Sequence, residues 1–336
     1  MKEFDLIYKY FATLIAKNES LNLLDDCAVV STFNNEKIIV NVDTIVENKH
    51  FFSYNSKKSS AKSIANKLLG VNLSDLASMG AIPKYWTMAI SLPSEYYNDI
   101  YWIEEFVKEL KKIQKKYNFY LIGGDTTSSD VLVLTANLFG MPSNNKILKQ
   151  KNAKENDIIC VSNTIGDSYW GLQVLNNNKD IQFLSKQDKN YLINRYNYIN
   201  PQVKLGCILV DFANSATDIS DGLLKDLEKI AINSNLLADI DVSLIPISLP
   251  VKKIHKKINN SFLESISGGD DYELIFSITK NNLMKLKKYL VENKLSKKIH
   301  ITEIGIFKKK LNNVNLIVKH NNKIINDIVK KGFVHS

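Results

Sequence analysis

Seven aspartates give this chain its chemical character. Six of them, Asp26, Asp43, Asp125, Asp218, Asp221 and Asp270, stand where an apolar run gives way to a turn, several beside glycine, as in Gly123-Gly124-Asp125 and Gly268-Gly269-Asp270. Such turns at one edge of a sheet are where loops converge on a ligand. Hard divalent cations such as magnesium take oxygen ligands, hold few carboxylates each and fill the remaining positions with water or phosphate oxygens. Acids gathered with glycine-rich turns therefore point to magnesium-nucleotide chemistry, although a turn or helix cap is the better account of any one of them alone.

The seventh acid, Asp75, resists that simpler account. It lies in SSAKSIANKLLGVNLSDLASMGA, Ser59 to Ala81, where Ser59 and Ser60 suit a helix start and Ile64, Leu68, Val71 and Met79 recur at helical spacing. Asp75 shares their stripe, so the helix carries its charge toward the packed side. An unpaired buried carboxylate costs several kcal/mol, so a cation or a dense set of donors must meet it.

Elements that would position these acids follow in order. An amphipathic helix with Phe4, Ile7, Phe11, Leu14 and Ile15 on one face opens the chain. Strands are expected after Asp25-Asp26, over Lys37 to Asp43, Tyr85 to Leu92, Phe119 to Ile122 and Val131 to Phe139, with a second helix over Tyr97 to Tyr117. The lysine- and asparagine-rich stretch Pro142 to Asn156 reads as a linker, dividing the chain into domains 1–142 and 143–336. Beyond it, strands are expected over Asp157 to Val161, Tyr272 to Ile278, Ile301 to Phe307 and Val314 to Val318, and helices from Gly166-Asp167, over Leu205 to Val210 and over Leu223 to Ala231. A polar connection is expected before Ser267. Alternating strands and helices in both halves predict two α/β or α+β domains.

Composition narrows the class. At 336 residues, 45% apolar and 24% charged, the chain is an ordinary globular sequence long enough for two domains. No apolar run approaches the ~20 residues of a membrane span, and the N-terminus lacks the apolar block of a signal peptide; the expected place is the cytoplasm, with no membrane partner. Cys27, Cys160 and Cys207 are odd in number and far apart, as reduced thiols are, and the five histidines show no zinc-ligand spacing. The net charge of +9 comes from scattered lysines that read as a solvated surface, not a nucleic-acid patch, yet such a surface draws phosphates inward.

Familiar phosphate-binding motifs are missing. Gly166 and Gly171 have the outer spacing of a P-loop, but Leu172-Gln173 follow where Lys-Ser or Lys-Thr is required, and no protein-kinase motif set is present. In their order and separations, LLDDCAVV, VDTIVENKHF, VNLSDLASMGA, LIGGDTTSS, ATDISDGL and SGGDDYEL resemble the thiamine-monophosphate kinases of the AIR-synthase-like (PurM-like) superfamily across nearly the whole chain. The resemblance implies a two-domain α/β fold whose N-terminal sheet pairs with that of a dimer mate and whose C-terminal α/β domain covers the site. It implies ATP- and magnesium-dependent phosphorylation of thiamine monophosphate to the diphosphate, the last step in making that cofactor. Matched position by position, it implies metal contacts at Asp26, Asn41, Val42, Asp43, Asp75, Asp125, Asp218 and Asp221, with only the carbonyl available from Val42. It implies ATP contacts at Tyr117, Gly124, Asp125, Gln150 and Ser220, and thiamine-phosphate contacts at His50, Asp270 and Phe333. The chain departs from the family pattern at Leu24 (usually glycine), Gln150 (usually arginine, here between Lys149 and Lys151) and Asp270 (usually glutamate). Phosphoryl transfer needs in-line positioning and cations more than a nucleophilic side chain, so no catalytic nucleophile is expected. Aminoimidazole-ribotide synthetase or selenophosphate synthetase activity, or a binding protein without turnover, stay as alternatives.

Overall fold

The computed structural model describes residues 7–16, 18–32, 34–310, 314–325 and 332. Two sheets carry the architecture. The first, from the N-terminal half, contains β1 (Ala28–Ser31), β2 (Lys37–Val46), β3 (Ala81–Leu92), β4 (Tyr120–Ser128) and β5 (Val133–Pro142) in the order β1-β2-β5-β3-β4. All neighbours are antiparallel except β3 and β4. Its strands alternate as a half-covered sheet should. From β2, Ile39, Asn41 and Ile45 are buried, while Val42 and Thr44 face outward.

The buried face packs on the helix Ala61–Ser78, which starts in a reciprocal cap: the Ser63 N–H donates to Ser60 Oγ at 3.1 Å and the Ser60 N–H to Ser63 Oγ at 2.8 Å. The spacing predicts one packed stripe. Instead, every residue of this helix except Lys62, Asn66 and Asp75 is buried, because the first sheet lies on one side while the strand Ser215–Asp218, the helix Ile100–Tyr117 and the helix Val203–Leu209 close the others. A helix enclosed on all sides cannot show an apolar stripe against a wet one. Close approach is bought by glycine: a Cβ on Gly206 would stand 2.0 Å from the Ala77 carbonyl oxygen.

The second sheet contains β6 (Ile158–Ser162), β7 (Ser215–Asp218), β8 (Leu236–Asp241), β9 (Leu274–Ile278), β10 (Ile301–Lys309), β11 (Leu316–His320) and β12 (Lys323–Ile324), ordered β12-β11-β8-β10-β6-β9-β7. Strands β7, β8 and β9 are buried at every position, which marks a sheet covered on both faces. Phe276 and Ile278 pack into the core shared with the long helix, and Ile159, Val161 and Ile275 pack on the other side against Leu223, Leu227 and Ile230.

Several expectations change. The polar connection before Ser267 contains β8 and the helices Leu249–Lys257 and Ser261–Ser267; Leu236, Leu237, Ala238 and Ile240 are a buried-strand signal too short to stand out among polar neighbours. Strand β4 runs through Gly123-Gly124-Asp125 instead of ending there. Segment 143–157 holds only two 3₁₀ turns, yet Leu148 and Gln150 in it are buried. At the N-terminus residues 7–9 are helical and Phe11–Thr13 form a 3₁₀ turn, with Phe11 and Leu14 exposed; Phe4 lies outside the described residues.

Gly206→Ala is predicted to cost about 1–3 kcal/mol by overpacking the long helix. Thermal unfolding of the purified variant checks it, and an unchanged melting temperature would contradict this packing.

Candidate active site

A cavity of about 670 Å³ opens between the halves. Asp43, His50, Phe52, Lys67 and Asp75 line it from the N-terminal half, and Tyr196, Ser220, Asp221, Asp270 and Tyr272 from the C-terminal half.

Four acids cluster beside it, Asp43 and Asp75 in its lining and Asp26 and Asp218 close to Asp75. Asp43 comes from β2, Asp75 from the middle of the long helix, Asp218 from the end of β7, and Asp26 from the turn before β1. Burial pushes the Asp75 carboxyl well above the usual range, and the charges of Asp43, Asp218 and Asp26 push it further. Burial and the charge of Asp26 likewise raise Asp218, and burial raises Asp26.

Donors from the helix and the far half hold these carboxylates in place. Ser78 Oγ donates to Asp26 at 2.6 Å and Ser74 Oγ to Asp218 at 2.6 Å. Asn41 Nδ2 donates to Asp75 at 2.9 Å and to Asn72 Oδ1 at 3.1 Å. The Thr217 hydroxyl and the Gln150 amide, 3.0 Å away, complete the shell of Asp26. None of Ser74, Ser78 and Thr217 stands out in the sequence reading. The signal of Ser74 and Ser78 is hydroxyls at i, i+4 inside an apolar helix, which is also what a satisfied core helix shows, and Thr217 lies on the strand Ser215–Asp218.

The remaining predicted residues fall into two groups. Ser220, Asp221, His50 and Asp270 line the cavity. Burial pushes the Asp221 carboxyl up, but Lys229 at 3.2 Å and Lys225 at 2.8 Å bring it below the usual range. His50 Nδ1 accepts the Val46 N–H at 3.0 Å, and the Asp270 carboxylate pairs with Lys67 at 3.0 Å.

Other positions stand apart. Asp125 and Gly124 are exposed on β4. The register Asp125-Ala89-Thr135-Thr44 puts Asp125 three strands from β2, about 14 Å at ~4.8 Å per spacing. Within one chain Asp125 does not join the other acids. Tyr117 points to the far side of the long helix, its hydroxyl 3.4 Å from the Pro201 carbonyl. The Gln150 side chain is buried and fully engaged, donating to Asp26 and Thr217 and accepting from Asn233 at 3.0 Å. Val42 turns its side chain outward. Leu24 adopts φ −103°, so the left-handed backbone that glycine would favour is not needed there. Phe333 lies outside the described residues, though Gly332 packs on the Asp221 carbonyl.

Hard divalent cations suit this donor set. The charge of Asp26 raises Asp43, Asp75 and Asp218, and the ammonium that acts on both Asp26 and Asp218, that of Lys229, is already paired with Asp221 and Asp226. The buried Asn41 Oδ1, beside Asp75, accepts no hydrogen bond among the described residues. Among those residues no three carboxylates, imidazoles or thiols stand close enough to cage a single ion.

Comparison with known proteins places the chain. Residues 24–141 match the family described as AIR synthase related protein, N-terminal domain. A thiamine-monophosphate kinase of Buchnera aphidicola subsp. Schizaphis graminum is 36% identical over 335 residues, 99% of this chain and 98% of that one. The chain belongs to the thiamine-monophosphate kinase family. The crystal structure of the family member from Stenotrophomonas maltophilia K279a is 31% identical, covers 96% of this chain and 98% of its own, and superposes with a TM-score of 0.74. A further structure, AaThiL complexed with AMPPCP and TMP, shares the fold at 24% identity with a TM-score of 0.83, covering 100% of this chain and 97% of that one.

The pKa shifts set a pH dependence. Burial raises Asp25 and Asp226 from 3.8 to about 6, so between those values the folded chain holds protons that the unfolded chain has released. Stability of the metal-free protein therefore falls as pH rises through that window. A divalent cation such as magnesium, if held by the ionised carboxylates, would raise the melting temperature by an amount that grows with pH. Calorimetry with and without magnesium checks this, and no gain at neutral pH would remove the cation assignment.

Proposed function

We propose that this chain transfers the γ-phosphoryl group of ATP directly to the phosphate of thiamine monophosphate, with magnesium ions held among Asp26, Asp43, Asp75, Asp218 and the Asn41 amide, each ion taking at most two of these carboxylates and filling its shell with water or phosphate oxygens. The supporting observation is one cavity between the halves, lined by Asp43 and Asp75 with Asp26 and Asp218 close to Asp75, and with Lys67, His50, Asp270 and aromatic rings along its walls. Magnesium bound there supplies positive charge to offset the repulsion between two anionic phosphates. The protein's own groups do the rest by placement: Ser220 borders the nucleotide end, His50 and Asp270 the acceptor end, and the long helix keeps Asp75 between them. A phosphate monoester is largely ionised near neutral pH, its second pKa being ~6, so the acceptor oxygen needs no strong base.

The working unit in this reading is a homodimer. Strand β4 is exposed along its whole length, with Ile122 60% exposed and Tyr120 and Leu121 beside it, and such an edge invites a second chain. Asp125 and Gly124 of the partner subunit would then reach the nucleotide end that this chain's own β4 does not approach. Cys27, Cys160 and Cys207 are free thiols, which suits the reducing cytoplasm.

Incubation with ATP, magnesium and thiamine monophosphate should yield the diphosphate, whereas tight binding without product would instead indicate a sensor. Asp75→Asn should abolish turnover while the fold survives; activity within about threefold of the parent, roughly 0.7 kcal/mol of barrier, would reject that assignment. Asp75→Asn chains coexpressed with Asp125→Asn chains should recover about a quarter of the parent activity, since only mixed dimers carry one intact site. Absence of recovery would place Asp125 outside the partner's site.

A further inference from the structure

One buried ammonium in the cavity wall has no part in the phosphoryl transfer described above. Lys67 sits on the long helix at four-residue spacing with Val71 and Asp75, which also line the cavity. It is only 4% exposed. Its Nζ donates to the His50 carbonyl at 2.9 Å and to Asp270 Oδ2 at 3.0 Å, and stands 4.2 Å from the centroid of the Tyr196 ring. These partners come from three separate places: the connection after β2, the loop before β9, and the helix Lys186–Asn197. A single ammonium therefore ties both halves together at the mouth of the site.

The loop it holds needs holding. Gly269, Asp270 and Tyr272 have φ of +76°, +62° and +51°, and two of these are side-chain-bearing residues in the left-handed region, a conformation that persists only where surrounding contacts enforce it. The Asp270 and Tyr272 N–H groups donate to the Ser220 and Ile219 carbonyls at 2.9 and 2.8 Å. On the side chain, Tyr272 Oη donates to Asp270 Oδ1 at 3.1 Å while Lys67 takes Oδ2. Both carboxylate oxygens are thus engaged, one by a neighbour in the loop and one by the opposite half. The tyrosine hydroxyl belongs to the same loop, whereas the lysine reaches Asp270 from the opposite half. Burial alone would push the Lys67 ammonium toward neutrality, but Asp270 and the Tyr196 ring keep it charged.

We propose that Lys67 is a positioning residue that pins Asp270 and its loop against the N-terminal half, so that the acceptor end of the cavity is assembled before substrate enters. The proposal rests on Asp270 bordering the acceptor end, as read above. Lys67 then acts through Asp270 on the acceptor and leaves the nucleotide end untouched.

Steady-state kinetics of single and double variants separate this from a general structural role. Lys67→Met should raise KM for thiamine monophosphate about tenfold or more while KM for ATP stays within about threefold. In an Asp270→Ala background the same substitution should change the acceptor KM by less than about threefold, because the group it acts through is gone. Equal rises in both KM values, or full additivity of Lys67→Met and Asp270→Ala, would overturn the proposal. Lys67→Gln, whose amide can still donate to the His50 carbonyl but carries no charge for Asp270, takes the place of Lys67→Met if that variant fails to fold. An Asp270→Ala single variant with unchanged acceptor KM would instead remove the placement of Asp270, a failure distinct from additivity in the cycle.

Discussion

Carboxylates crowded into a buried seam repel one another, and the surrounding architecture is what keeps them there. Asp26, Asp43, Asp75 and Asp218 are each raised above the usual carboxylate range, burial being the largest cause in every case. Such crowding costs folding free energy unless donors and cations answer it. Donors come from Ser74, Ser78, Asn41, Thr217 and Gln150. Those donors hold the carboxylates in a fixed arrangement.

Burial of the long helix on every side follows from the same need. A helix lying on the surface of one domain would leave Asp75 in water with an ordinary charge. Enclosed between the first sheet, β7 and two other helices, it shows solvent only at Lys62, Asn66 and Asp75, and Asp75 looks into the cavity. The seam is also stitched beyond the acids. Gln150, between the two sheets in sequence, binds Asp25 through its backbone and Asp26, Thr217 and Asn233 through its side chain. Displacement of one half against the other would break both the acid shell and the Lys67–Asp270 pair, so cavity shape and interdomain geometry are one property.

Legibility varied with the range of the interaction. Asp75 declared itself because a charge in an apolar repeat conflicts with local pattern, and the conflict marks a functional position. Lys67 carries the same helical spacing yet passes for an ordinary surface lysine, since a long flexible side chain usually reaches water. Gln150 suggested a phosphate contact by its place in the pattern, but its neighbours in space turn it into a bracket for Asp26. Leu24 suggested a strained turn, whereas the positive φ values fall at Leu21, Asn22 and Leu23 just before it. Strand β8 escaped notice because six buried residues between polar segments give too short a signal.

Local order in the chain determined that acids would end or interrupt apolar elements, that a capped helix would carry Asp75, and that six motifs in sequence would mark a phosphate-handling α/β family. Spacing along a chain records which residues share a helix face or a strand face, and that information is local. Tertiary structure decided which acids meet: it brought Asp26 and Asp218 together from positions 192 residues apart in number, set Asp125 three strands away on an open edge, and joined Lys67 to Asp270. Those outcomes depend on sheet order and on how the halves pack, and neither is written in the period of any single element.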